Sequence, residues 1–109
     1  MALLASILIG AGPAKEPGVM KGRVLDSAGQ PLAGVEVVAD NTLFYNTNAI
    51  GVSDAKGFYR IDVSRPKGTW NATAQIKRQV SGKPFTFDLH PDNSQVFAGT
   101  DGAVRNFTW

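Results

Sequence analysis

His90 is the one histidine in this chain of 109 residues, so any imidazole chemistry must rest on it. A serine–histidine–acid arrangement would need a presented serine, and no Gly-x-Ser-x-Gly elbow supplies one. His90 stands before Pro91 at a strand end, which suits solvent exposure rather than catalysis. The chain therefore reads as non-enzymatic, with no cofactor. One histidine and no cysteine also remove the ligand sets from which zinc sites are built. Oxygen donors of the kind calcium takes, Asp92, Asn93, Asp101 and Asn106, gather toward the end of the chain. No EF-hand-type spacing organises them, and Asp-Asn-Ser and Asp-Gly are ordinary turn formers. The reading assigns no metal.

Two other residue patterns carry chemistry. Asn71-Ala-Thr73 and Asn106-Phe-Thr108 fit the glycan acceptor pattern, so both asparagines are candidate glycosylation sites. Phe44, Tyr45, Phe58 and Trp109 are candidates for a sugar-stacking platform. Phe44 and Tyr45 lie among Asn and Thr residues, in a loop of the kind that carries binding edges. Trp70, Tyr59, Phe85 and Phe87 fall on the apolar phase of their segments and are expected in the core.

The elements that position these residues are short. Val19 begins a series of alternating segments separated by turn signals. Met20, Gly22 and Val24 share one face, with Lys21 and Arg23 on the other. Val35, Val37 and Ala39 alternate with Glu36 and Asp40. Ile50 and Val52 follow, then Tyr59, Ile61 and Val63. Trp70, Ala72, Ala74 and Ile76 oppose Asn71, Thr73, Gln75 and Lys77. Phe85, Phe87 and Leu89 oppose Thr86, Asp88 and His90. Residues 91–102 read as the longest loop, and residues 103–109 as a last strand. No window has a helical period. The expectation is an all-β domain, a seven-stranded antiparallel β-sandwich of the Ig-like kind.

Residues 1–12 carry no charged side chain. Pro13 ends the run well short of the roughly 20 apolar residues a membrane span needs, so no span is expected. A secretion signal fits by length but lacks a positive start and a good cleavage site. Leu3, Leu4, Ile7, Leu8 and Ile9 leave almost no polar helix face. Apolar on both sides, residues 1–10 read as an extension strand buried on both faces, a candidate donor strand. Residues 11–18, rich in Pro and Gly, read as a semi-stiff linker. Residues 19–109 form the domain.

Gly22-Arg-Val-Leu-Asp26, Gly29-Gln-Pro-Leu-Ala-Gly-Val35-Glu-Val37 and Ser53-Asp54-Ala-Lys-Gly57-Phe-Tyr59-Arg-Ile61 resemble the carboxypeptidase regulatory-like domain. The resemblance covers roughly residues 19–109 and implies a transthyretin-like β-sandwich that serves as a non-catalytic accessory or surface domain.

Eleven basic against nine acidic residues give a net charge of +2, and no basic cluster exceeds Lys77-Arg78, so nucleic acid is not an expected partner. The functional expectation is an extracellular or cell-surface structural subunit of a filament. Leu3, Leu4, Ile7, Leu8 and Ile9 would form the subunit interface by inserting into a neighbouring copy. Burying those five side chains yields roughly 7–15 kcal/mol. Ordering nine residues costs on the order of 10–18 kcal/mol, so backbone pairing at a sheet edge must supply the difference. The alternative is an accessory carbohydrate-binding or surface-anchoring module, in which the apolar strip is a leftover signal or a self-complementing strand. The partners are thus other copies of the chain and covalent glycans.

Overall fold

The computed structural model describes residues 14–44 and 46–109. Tyr45 and the apolar strip with Leu3, Leu4, Ile7, Leu8 and Ile9 lie outside the described residues. Nine strands form two sheets, with no helix among the described residues. They are β1 (Val19–Leu25), β2 (Glu36–Asn41), β3 (Asn48–Val52), β4 (Phe58–Asp62), β5 (Thr69–Val80), β6 (Lys83–Leu89), β7 (Phe97–Ala98), β8 (Ala103–Val104) and β9 (Phe107–Thr108). One sheet runs β4-β1-β8, with β9 also on β1. The other runs β3-β2-β5-β6, with β7 also on β5.

The expected seven antiparallel strands are thus nine, in a mixed arrangement. The loop at residues 91–102 contributes β7, and the expected last strand divides into β8 and β9, both parallel to β1. The division has a local cause. Arg105 N still donates to Lys21 O at 2.9 Å, but Arg23 N donates to the Asn106 side chain, Oδ1 at 3.0 Å. One side-chain amide replaces one rung of the ladder between the two short strands.

Two turns built alike position β2 and β4. Asp26 Oδ1 accepts from Ala28 N and Gln30 N, and Asp54 Oδ1 accepts from Lys56 N and Phe58 N, all at 2.9 Å. Gly29 and Gly57 close them at φ of 82° and 83°, a left-handed conformation that glycine adopts without steric cost. Buried Ser53 joins the β1–β2 connection to the end of β3, accepting from Val35 N and donating to Leu32 O.

The core lies between the sheets: Met20, Val24, Val37, Ala39, Tyr59, Ile61, Val63, Trp70, Ala74, Ile76 and Phe107 are buried. These follow the alternation of β1, β2, β4 and β5 as expected, because each of those strands has a sheet across from its inner face. Ile50 and Val52 are exposed instead. On β3 the inward positions are Ala49 and Gly51, and a Cβ on Gly51 would lie 2.8 Å from Ile61 Cγ1.

Candidate binding face

Phe85 and Phe87 are the main departure from the expected core. They occupy the inner phase of β6, opposite Arg78 and Ile76 of β5, yet they are 45% and 39% exposed. The face is as expected, but no described strand covers it. β5 has twelve residues and β6 seven, whereas the strands across from them, β8 and β9, have two each. Past Ile76 the hairpin outruns the opposite sheet.

Trp109, following β9, reaches this open end. Its backbone N is held by Leu25 O at 2.8 Å, and its ring centroid lies 5.2 Å from that of Phe87. Phe85 and Phe87 stack at 6.3 Å with 25° between their planes, a spacing close to two residues of strand. The guanidinium of Arg78 lies over the Trp109 ring, 5.8 Å from its centroid, in cation–π range. The result is a contiguous exposed face of Phe85, Phe87 and Trp109 with a cation at its border. The tight Ser81-Gly82 turn, with φ of 51° and 77°, holds the hairpin that carries it.

Of the described residues of the proposed aromatic platform, Phe44, Phe58 and Trp109, only Trp109 belongs to this face. Phe44 is exposed in the β2–β3 loop. Phe58 lies on the outer face of the other sheet, with the Arg23 guanidinium 4.8 Å from its ring centroid. Arg78, Phe85 and Phe87 were not expected in a site. The readable signal was Arg78 itself: after Ile76 the next inward position of β5 is charged, which marks the end of the core.

The other candidate residues are dispersed. His90 is exposed beyond β6. Asp92 is committed to Asn106, accepting from its N at 3.0 Å and its Nδ2 at 3.2 Å. Asn93 Oδ1 accepts from Gln95 N, and Asp101 lies in the turn after β7. No group of three His, Cys, Asp or Glu side chains is placed to hold a metal among the described residues. Asn71 points outward from β5, while Asn106 is half-buried with both amide atoms engaged. Among the described residues no helix is long and apolar enough to cross a membrane.

No family model matches the chain, and no curated protein matches it. Among solved structures, it is similar to a candidate carbohydrate-binding protein from Pseudomonas aeruginosa, with a TM-score of 0.43 and 13% identity over 93% of this chain and 95% of that one. It is also similar to chlorocatechol 1,2-dioxygenase from Pseudomonas putida, with a TM-score of 0.40 and 16% identity, covering 86% of this chain and 60% of that one.

Proposed function

We propose that this β-sandwich is a non-enzymatic, extracellular accessory module that binds carbohydrate on the face formed by Phe85, Phe87 and Trp109. The observation that carries the reading is the exposure of three neighbouring aromatic rings where the hairpin outruns the facing sheet. Pyranose rings present C–H faces that lie against aromatic rings and shed water from both, while exposed apolar patches on a folded domain commonly mark interaction sites. Arg78 and Lys83 supply cations on the same face of the hairpin, and residues 77–87 contain no acid. Such a border favours saccharides bearing carboxylate or sulfate, which arginine engages through its forked N–H groups. The resemblance to the carboxypeptidase regulatory-like domain is consistent with a module of this kind.

The test is calorimetric titration of neutral and acidic oligosaccharides into the protein and its Phe85→Ala and Phe87→Ala variants. Binding of an acidic saccharide that both variants lose supports the reading. Absence of binding across both classes, or binding indifferent to the two substitutions, overturns it.

The apolar strip carries a second reading, a filament subunit that lends Leu3, Leu4, Ile7, Leu8 and Ile9 to a neighbouring copy. What favours it is one sheet edge that, among the described residues, lacks the usual protection against strand addition.

A further inference from the structure

A sheet edge presents unpaired N–H and C=O groups, and proteins protect such edges with charge, proline, very short strands or cover. Hydrogen-bond phase shows which residues of each edge strand aim their backbone outward, because paired and unpaired positions alternate in an antiparallel ladder.

On β4 the flanking bonds Val63 N to Gly18 O and Val24 N to Gly57 O set the phase. The outward residues are Phe58, Arg60 and Asp62, two of them charged. On β6 the two-residue turn places Val80 and Lys83 in a bonded pair, so Pro84, Thr86 and Asp88 face outward. Proline lacks the donor and aspartate adds charge. The edge formed by β8 and β9 consists of two-residue strands, and the Asp92 N bond to Asn106 O covers part of it.

β3 differs from all three. Asn41 N donates to Thr47 O and Ser53 N to Val35 O, each at 3.0 Å, so the outward residues are Asn48, Ile50 and Val52. None is charged and none is proline. Ile50 and Val52 are 54% and 61% exposed, and Val52 opens onto a groove lined by Gly22, Phe58 and Tyr59 together with the charged Lys21, Asp54 and Arg60.

We propose that the outer edge of β3, which no described strand covers, accepts residues 3–9 of this chain as an added strand. The occupant is argued from charge and from place. An uncharged edge with exposed aliphatic side chains matches a segment that is itself uncharged and apolar on both faces. The described chain begins on the same flank: Glu16 pairs with Arg60 of β4, and Gly51 of β3 packs against Ile61 of that strand. Six residues, 10–15, separate the segment from Glu16. Extended, they span about 20 Å, enough to reach either this β3 or that of an adjacent copy. The inference rests on the assembly reading only for which copy lends the strand.

Residue-resolved amide hydrogen exchange on the full chain tests it, with light scattering for mass. The outward amides of Asn48, Ile50 and Val52 are expected to be protected in the unaltered protein. Ile7→Asp, which places a charge in the docking segment, should abolish that protection. Ile50→Pro should do the same by removing one outward donor that the β2 ladder does not use, and Ile50→Lys provides a milder block should proline disturb the fold. Unprotected amides in the unaltered chain, or protection indifferent to Ile7→Asp, overturn the inference. Protection in a monomer upholds the β3 site and removes the filament reading; protection in a larger species upholds both.

Discussion

The hydroxyl of Tyr59 on β4 donates to the carbonyl oxygen of Arg105 at 2.6 Å, inside the sandwich and across 46 positions of sequence. Arg105 lies where the parallel ladder beside β1 is interrupted, so this bond holds the interrupted segment against the opposite edge of its sheet. The Arg105 guanidinium turns away, donating to Val104 O and Gln95 O at 3.0 Å and resting over the Phe97 ring. Charge on the inner phase is thus accommodated by carbonyls and an aromatic face.

Tyr59→Phe should lower stability by about 1–3 kcal/mol, the cost of stranding a buried carbonyl. Burial pushes the Tyr59 hydroxyl above its ordinary value of 10.0. Its folded value therefore exceeds the unfolded one, and the stability it contributes is complete below about pH 10 and falls as pH rises toward the folded value. Urea melts between pH 8 and 11 should show a steeper alkaline decline in the unaltered protein than in the variant. Parallel declines would mean that other groups control the alkaline limit.

Gly22→Ala should be among the most damaging small substitutions. A Cβ there would collide with the same Arg105 carbonyl oxygen, and backbone cannot swing aside as a side chain can. A loss above about 3 kcal/mol is expected. A near-neutral variant in thermal melts would show that the last strands lie farther from β1.

Trp70 and Phe85 should part company although both occupy inward phases. Trp70→Ala removes a fully buried ring and should cost about 3–5 kcal/mol. Phe85→Ala truncates a ring at the open end and should cost less than about 1 kcal/mol. Equal losses in denaturant titrations would mean that something covers the hairpin.

The two sequons should also behave differently in a glycosylating host. Asn71 is exposed on β5, whereas a sugar on Asn106 Nδ2 would displace its bond to Asp92. Glycopeptide mass mapping should find any sugar on Asn71 and none on Asn106. Asn106→Ala should cost about 1–3 kcal/mol through the lost bridge between Arg23 and Asp92. Occupancy at Asn106 alone would contradict the geometry.

Alternation was enough to find the inward phase of β1, β2, β4 and β5, and Asp with Gly at the right spacing was enough to place the turns before β2 and β4. Both are local: a two-residue period and a left-handed glycine are written where they act. Even for β6 the sequence determined the face, with Phe85, Phe87 and Leu89 together. Only tertiary structure decided that Leu89 would be buried and the two phenylalanines left open, because burial depends on how far the opposite sheet extends. The division of the last strand had the same origin, since Asn106 replaces a rung only once Arg23 and Asp92 are beside it. The edges follow this rule too. Residue type says which strands carry charge or proline, but hydrogen-bond phase, set by pairing, says which of those residues face outward. Phase leaves Asn48, Ile50 and Val52 as an uncharged edge, and the end of the facing sheet leaves Phe85, Phe87 and Trp109 as an open aromatic face.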